Sequence, residues 1–175
     1  MKKIALIVIT LFFLVGCRSD LPSDVVKNYF SLYKNQNEKI LTELDELIKN
    51  EELSEEQGKI YKEMMIKQYK DLNFDITSET YNGDEAIITA NIEVYDLYKS
   101  QKEAEDYRNT HREEFNDYND YLNYKLDKMK KNTNKTQYTI QFKVLRKENN
   151  WVLENVPTED LEKIHGIYNY ERDKE

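Results

Sequence analysis

The chain contains one cysteine, Cys17, which stands at the end of the only long apolar run in the sequence. A cysteine acts as a nucleophile when a nearby base deprotonates its thiol, but neither histidine lies near Cys17 in sequence. A structural disulfide would need a second cysteine, which the chain lacks. Cys17 is therefore expected to be an attachment point for a covalent group, and a catalytic role is disfavoured.

The two histidines offer little metal or acid–base chemistry. His111 and Glu114 are one helical turn apart and could supply two metal ligands, whereas a stable zinc site needs three or four. His165 and Gly166 stand near the expected end of the last helix, where the histidine can contact helix-end carbonyls and the glycine can adopt the left-handed turn that stops the helix. We therefore predict no metal site, no catalytic residue and no cofactor.

Tyrosine is abundant, with 14 copies in the chain. The tyrosines of the segment 100–131 form the candidate partner surface: Tyr107, Tyr118, Tyr121 and Tyr124. A ring with a hydroxyl suits a protein interface, because it offers both apolar area and a hydrogen-bonding tip. The alternative is that these rings wedge the segment against a sheet, and the sequence leaves both interpretations open.

The first 16 residues have the pattern of an export signal. Lys2 and Lys3 provide a positive start, and an apolar run from Ile4 to Val15 follows. About a dozen apolar residues, at roughly 1.5 Å of rise each, span less than the ~30 Å hydrocarbon core of a bilayer. The segment is therefore predicted to be a cleaved signal and not a permanent transmembrane helix.

The end of this segment reads Leu14-Val15-Gly16-Cys17 and resembles the lipobox of bacterial lipoproteins of the Gram-positive type. The resemblance implies that the thiol is alkylated with a diacylglyceryl group and that Cys17 becomes the first mature residue. Residues 17–23 would form a short lipidated tether. Two acyl chains hold a protein stably at a membrane, so we expect a protein anchored at the extracytoplasmic face of the cell membrane.

Composition indicates one acidic domain after the signal. Removing 16 of the 175 residues leaves 159, enough to bury most of the apolar surface in a single core. Without Lys2 and Lys3 the formal charge changes from −8 to −10, so nucleic acid and anionic lipid are poor partners. We expect one α+β domain over residues 24–170 and a polar tail over residues 171–175.

Hydrophobic periodicity predicts helices at both ends of this domain. Ser23 is expected to cap the first helix, and the apolar set over residues 40–48 either continues it past a bend or forms a second helix. Ser54 and Gln57 form a capping box that starts a further helix. Thr158 is expected to cap a short last helix.

Alternating apolar residues predict two antiparallel hairpins between these helices. The first spans Phe74 to Tyr95, with a turn at Asn82-Gly83-Asp84, and the second joins a strand over Thr136 to Arg146 to a strand that starts at Trp151. Between the hairpins, residues 100–131 contain neither Gly nor Pro. We predict that this segment forms one long amphipathic helix.

Three stretches resemble small bacterial lipoproteins with an NTF2-like, or cystatin-like, fold: residues 24–30, 74–95 and 138–153. The resemblance implies N-terminal helices packed on a curved antiparallel sheet of about four strands. The long helix inserted between the two hairpins departs from the simplest members. It would either lie across the open face of the sheet and fill the usual pocket, or project outward as a binding arm.

The functional prediction is a non-enzymatic, membrane-anchored module that binds an unknown protein partner. Acid, base and nucleophile candidates do not converge in the sequence, which disfavours an enzyme. The alternative is a small-ligand carrier with a pocket between sheet and helices, since folds of this kind host unrelated functions. A pocket walled by the sheet would favour the carrier, whereas a filled interior with exposed tyrosines would favour the interaction module.

Overall fold

The computed structural model describes residues 21–172. Cys17 and the predicted export signal lie outside the described residues. Within the described range the chain forms six α-helices, one short 3-10 helix and four β-strands. Their order is α1 (Pro22–Lys34), α2 (Glu38–Asn50), α3 (Glu55–Asp71), β1 (Asn73–Asn82), β2 (Glu85–Tyr95), α4 (Leu97–Thr110), a 3-10 helix (Arg112–Glu114), α5 (Tyr118–Lys130), β3 (Lys135–Lys147), β4 (Asn150–Leu153) and α6 (Thr158–His165).

The four strands form one antiparallel sheet in the order β1-β2-β3-β4. This confirms the predicted α+β class and both hairpins, with the first turn at Gly83 and Asp84. Alternate residues of the central strands are buried on one face, where Ile88 lies opposite Phe142 across the β2–β3 ladder. The opposite face is polar, as the period of two in strand side chains requires for a half-buried sheet.

Helices α1, α3 and α6 pack on the apolar face of the sheet. The ring of Phe30 in α1 stacks on Phe74 with centroids 4.6 Å apart and meets Phe142 edge-on at 5.4 Å. Tyr29 also meets Phe142 edge-on, at 5.8 Å. Such ring pairs contribute about 0.5–1.5 kcal/mol each beyond their buried area. Side chains of α1 therefore fill the space between the sheet and the helices.

The remaining helices form an outer layer. α2 and α5 both pack on α3, and α4 packs on α5. The predicted single long helix over residues 100–131 is wrong, because the segment is two helices that fold back on each other around residues 111–117. The hairpin of α4 and α5 rests on α3 and so does not lie across the sheet.

Side-chain hydrogen bonds explain why the long helix breaks. At the end of α4 the hydroxyl of Thr110 donates to the carbonyls of Asp106 and Tyr107, at 3.1 and 3.0 Å. At the start of α5 the carboxylate of Asp117 accepts the backbone N–H of Asp120 at 3.0 Å. Thr and Asp compete for backbone groups in this way, so they end and begin helices without any need for Gly or Pro.

Side chains cap two other helices, α3 as the sequence predicted and α2 through Asn37. The capping box of α3 is confirmed, since Ser54 Oγ accepts the N–H of Gln57 at 3.2 Å and Gln57 Oε1 accepts the N–H of Ser54 at 2.9 Å. Asn37 Oδ1 accepts the N–H of Lys39 at 3.0 Å and caps α2. The apolar set over residues 40–48 therefore belongs to a separate helix.

The predicted caps Ser23 and Thr158 are wrong, because each residue already lies inside its helix. α1 begins at Pro22, and Ser23 is a buried helical residue. Pro22 suits the first turn of α1, since its φ is helical and its missing N–H would have no intrahelical partner there. α6 begins at Thr158 after the N-cap residue Pro157, which provides no side-chain cap.

One buried amide joins three elements, α3, β2 and α6, at the end of β2. Gln68 of α3 is 1 % exposed, and its Oε1 accepts the backbone N–H of Tyr95 at 2.9 Å. Its Nε2 donates to the carbonyls of Tyr95 and Ile164 at 3.5 and 3.4 Å. Gly166 ends α6 in the predicted left-handed conformation, with φ +73°, and its carbonyl accepts the N–H of Tyr98 in α4 at 2.9 Å.

We predict that Gly166→Ala lowers the free energy of unfolding much more than Gly83→Ala does. Both glycines have left-handed φ, +73° and +64°, so both substitutions carry a strain of about 1 kcal/mol. A Cβ at position 166 would lie 2.2 Å from the carbonyl oxygen of Tyr95, whereas nothing lies within 4 Å of one at position 83. Because of this overlap, the free energy of unfolding measured in urea should fall by at least about 2 kcal/mol more in Gly166→Ala than in Gly83→Ala. Equal losses in the two variants would contradict this packing.

Candidate functional site

The turn between α4 and α5 gathers the aromatic side chains that the sequence proposed as a partner surface. The ring of Tyr107 stacks on His111 with centroids 4.1 Å apart and on Tyr124 at 5.1 Å. Tyr107 Oη also donates to a carboxylate oxygen of Glu114 at 2.7 Å. We call the set that surrounds this stack the aromatic tip: Tyr107, Arg108, His111, Phe115, Tyr118, Tyr121 and Tyr124.

Phe115 organises the aromatic tip from the turn between the helices. Its ring meets Tyr107, Tyr121 and Tyr124 edge-on, at 6.4, 5.9 and 5.6 Å. These contacts span α4, the turn and α5, so the ring holds the two helices together at the tip. This position between two helices depends on the break in the segment 100–131, which was predicted to be one helix.

Arg108 connects the buried and the exposed parts of the aromatic tip. Its guanidinium lies 4.4 Å from the ring centroid of Tyr121 and 5.5 Å from that of Tyr118. Tyr121 is only 7 % exposed, whereas Tyr118 is 50 % exposed. Tyr121 therefore supports the surface from below, and Tyr118 is the ring that a partner can reach. Tyr107 and Tyr124 are partly buried and lie between these extremes.

The aromatic tip stands in an acidic part of the chain. Between residues 103 and 120, seven Asp and Glu side chains and two Arg side chains give a formal charge of −5. Cation–π contacts with Tyr118 and Tyr121 hold Arg108 in place. The surface thus combines a rigid aromatic face with negative charge around it, which complements basic and apolar side chains.

His111 takes part in this stack and in the end of α4. Its Nδ1 lies 2.8 Å from the Thr110 hydroxyl and 3.2 Å from the carbonyl oxygen of Tyr107. Glu114 is bonded to Tyr107, so the pair considered as metal ligands is engaged with other groups. Across residues 21–172 no group of three or more His, Cys, Asp and Glu side chains comes together that could hold a metal ion.

A second polar cluster lies between α1, α3 and α6. The hydroxyls of Tyr29 and Tyr33 are 3.2 Å apart and share a hydrogen bond. His165, expected at the helix-end carbonyls, instead packs its ring on Tyr33 and Tyr69, with centroids 6.3 and 5.6 Å apart. Burial raises the pKa of all three tyrosines, so their hydroxyls stay protonated near neutrality.

Glu43 of α2 faces the same cluster. Its Oε1 is buried and has no hydrogen-bond partner in the described part of the chain. Burial raises the pKa of Glu43 to about 7, against the opposing effect of Lys39, and burial lowers the pKa of His165 to about 4. Both side chains are therefore neutral near pH 6. The cluster therefore carries little charge near pH 6 and supports the packing between the helices.

A cavity of about 220 Å³ lies among the helices. Its walls include Tyr61 of α3, Tyr98 of α4, Leu122 of α5 and Ile167 after α6. The carrier hypothesis placed its pocket between the sheet and the helices, where the rings of α1 are packed. The cavity of about 220 Å³ is lined by residues of the helices α3, α4, α5 and α6 and of the segments that follow α2 and α6.

The predicted lipidation site, Cys17, lies outside the described residues, four positions before Leu21. α1 begins at Pro22, so the predicted tether over residues 17–23 overlaps the helix by two residues. Among residues 21–172 no helix has the length and apolar character needed to cross a bilayer.

The charges of Glu43 and His165 predict opposite effects of pH on stability. Folded Glu43 holds a proton up to about pH 7, whereas unfolded Glu43 loses it near 4.5. Folded His165 stays neutral down to about pH 4, whereas the unfolded side chain binds a proton below 6.5. Between about pH 4.5 and 6.5 the folded and unfolded states therefore bind equal numbers of protons at these two sites, and their effects cancel.

Single substitutions should remove this cancellation. In Glu43→Gln only His165 remains, so the free energy of unfolding should fall as the pH falls from 6.5 towards 4, by up to about 1.4 kcal/mol per unit. In His165→Gln it should fall as the pH rises from 4.5 towards 7, with a smaller slope because Glu43 is partly exposed. Urea titrations across this range measure both slopes relative to the wild type. Parallel curves for the two variants would refute the assignment.

Comparisons with known proteins add no relative to these observations. No family model, no curated protein and no solved structure matches this chain. The case for a function therefore depends on the geometry of the chain's own residues.

Proposed function

We propose that the chain is a lipid-anchored extracytoplasmic lipoprotein that binds a protein partner through the aromatic tip and has no enzymatic activity. The observation that carries this proposal is the arrangement of Tyr118, which is 50 % exposed on a layer of buried Tyr121 and stacked Arg108. A single exposed tyrosine is unremarkable by itself, whereas one supported from below by a packed cation and ring is preorganised for contact.

The composition of the aromatic tip suits an interface. Tyr and Arg are enriched among the residues that dominate binding energy, because they combine large apolar area with hydrogen-bonding groups. The tip also lies at the turn of a helical hairpin that rests on α3, away from the sheet. A partner can therefore meet it without disturbing the core.

Charge specifies the chemistry of the partner. The formal charge of −5 around the aromatic tip favours a protein surface with Lys or Arg beside apolar side chains. Nucleic acid and anionic lipid carry the wrong charge for this surface. We therefore propose a basic extracytoplasmic protein or protein segment as the partner.

The proposal also includes the lipid anchor at Cys17 and an NTF2-like, or cystatin-like, fold for the domain. The lipobox-like stretch that ends in Cys17 supports attachment at the extracytoplasmic face of the cell membrane, where a partner would be met. An NTF2-like, or cystatin-like, domain is supported by the order of elements, since N-terminal helices pack on one face of a four-stranded antiparallel sheet. The α4–α5 hairpin would be an addition to that fold.

Replacing the thiol tests the anchor. In Cys17→Ala the diacylglyceryl group has no sulfur to join, so we expect the protein to move from the membrane fraction to the medium. Metabolic labelling with an alkyne fatty acid should mark the wild type and not the variant. Continued retention of Cys17→Ala at the membrane, or equal labelling of both proteins, would rule out the lipid anchor at this residue.

A matched pair of tyrosines tests the partner surface. Tyr118 and Tyr81 are 50 % and 53 % exposed, but Tyr81 lies in β1 and packs against Trp151. Crosslinking on intact cells should capture one specific protein with the wild type and with Tyr81→Ala, and at least about tenfold less of it with Tyr118→Ala. The captured protein should carry a basic surface, and raised salt should weaken its binding. Equal capture by the two variants would disprove a role for the aromatic tip.

A further inference from the structure

The helix-walled cavity carries charged groups that the proposed function does not use. Apolar side chains make most of its wall: Leu53, Tyr61, Leu122, Leu126, Met129 and Ile167. Lys125 and Glu51 also line it. A concave apolar site with a few polar groups is the general form of a small-molecule site.

Lys125 is a partly buried cation without an anionic contact. Burial lowers the pKa of its ammonium, which shows that the surroundings disfavour the charge. No carboxylate in residues 21–172 lies within the 4.0 Å of a salt bridge to Lys125, whereas Lys128 on the same helix pairs with Glu103 at 3.1 Å. The ammonium lines the cavity without a carboxylate partner, and an anionic group in the cavity would provide a charge-assisted hydrogen bond to it.

Glu51 supplies the opposite charge without reaching Lys125. Burial raises the pKa of the Glu51 carboxyl, and the attraction of Lys125 opposes that rise. Glu51 and Glu105 in turn oppose the lowering of the Lys125 pKa. Lys125 and Glu51 therefore place opposite charges on the lining of one cavity and form no salt bridge with each other in the described part of the chain, so a ligand in the cavity can meet both.

The cavity also holds a second charged pair. Glu162 and Arg172 face each other, with 3.6 Å between Oε2 and Nη1. This distance is too long for a hydrogen bond, and Glu162 Oε2 is buried without a hydrogen-bond partner in the described part of the chain. Among the charges that line the cavity, Lys125 and Glu51 form no ion pair within residues 21–172, and the Glu162 oxygen offers a further acceptor to a ligand ammonium.

We infer that this cavity binds a small zwitterion with an apolar side chain, of the apolar α-amino acid class. The ligand carboxylate accepts hydrogen bonds from the Lys125 ammonium, and the ligand ammonium donates to the Glu51 carboxylate. The apolar side chain lies against Leu122 and Leu126. A molecule with only one of the two charges would leave Lys125 or Glu51 unpaired, so the site discriminates against it.

The size of the cavity agrees with this class. A dry cavity of about 150 Å³ accommodates benzene, so one of about 220 Å³ suits a ligand of roughly nine heavy atoms, the number in leucine. Burial of an aliphatic side chain contributes about 0.8 kcal/mol per methylene to binding. Glycine should therefore bind much more weakly than leucine.

Calorimetric titration of the full-length protein in detergent micelles tests the inference with three probes. Leucine carries both charges, 4-methylpentanoate lacks the ammonium, and 3-methylbutylamine lacks the carboxylate. Leucine should bind with a Kd of about 1 mM or lower, and each of the other probes at least about tenfold more weakly. Absence of leucine binding at about 10 mM, or equal binding of 4-methylpentanoate, would overturn the inference.

Variants locate the binding in this cavity. Lys125→Met and Glu51→Gln should each weaken leucine binding at least about tenfold, whereas Lys128→Met, on the same helix, should leave it unchanged. Thermal unfolding of each variant without leucine confirms that it is folded, and the comparison of the three probes on the wild type does not depend on any variant. Unchanged leucine binding by Lys125→Met or Glu51→Gln would disprove the site.

Discussion

At the end of the sheet the side chain of Gln68 makes the backbone hydrogen bonds that a further residue of β1 would otherwise make. The arrangement of the helices depends on these hydrogen bonds. β1 begins at Asn73 opposite Glu93, so β2 extends two residues further without a strand partner on that edge. The amide of Gln68 meets both backbone groups of Tyr95, accepting from its N–H and donating to its carbonyl. A buried backbone group without such a partner would cost about 1–3 kcal/mol, which explains why an amide is buried in α3.

This junction also fixes the start of the α4–α5 hairpin. Gln68 donates to the carbonyl of Ile164, and the carbonyl of Gly166 accepts from Tyr98, so α3, β2, α6 and the first turn of α4 meet at one place. The close approach explains the glycine, since any Cβ at position 166 would overlap the Tyr95 carbonyl. From this fixed start α4 extends outward, α5 returns along α3, and the aromatic tip forms at the far end.

The outer helical layer therefore provides two surfaces of different character. Near the junction, α4 and α5 diverge from α3 and α6 around a cavity with apolar walls. At the far end, Phe115 and Arg108 close the same two helices into a packed aromatic face. The cluster of Tyr29, Tyr33, Glu43 and His165 supports the inner helices as neutral groups near pH 6, which lets several polar side chains lie together without charge repulsion.

Most of the correct predictions from the sequence came from hydrophobic periodicity and from local helix caps. The alternation that ends at Val144 and the capping box at Ser54 are local signals, and both appear as expected. The break between α4 and α5 also has a local cause, since Asp117 caps α5. It was not predicted, because the segment contains neither Gly nor Pro. The break also brings Tyr107 of α4 against Tyr124 of α5, which one long helix would have kept apart.

Contacts between distant segments could not be predicted. Gln68 reaches partners 27 and 96 residues away, and no periodic pattern marks such a contact. The charges of Lys125 and Glu51 look like ordinary surface charges in the sequence, and only the packing of α5 against α3 buries them. Neither the cavity nor the junction at Gln68 can be recognised without the three-dimensional structure.

The central claim is that Tyr118 is covered by a partner on the cell. Hydroxyl-radical footprinting measures this directly, by comparing the oxidation of Tyr118 and Tyr81 on intact cells with that in the purified full-length protein. The two rings are almost equally exposed in the isolated chain. Selective protection of Tyr118 on cells, with Tyr81 oxidised as in the purified protein, is the predicted result. An unchanged ratio of Tyr118 to Tyr81 oxidation would contradict the account.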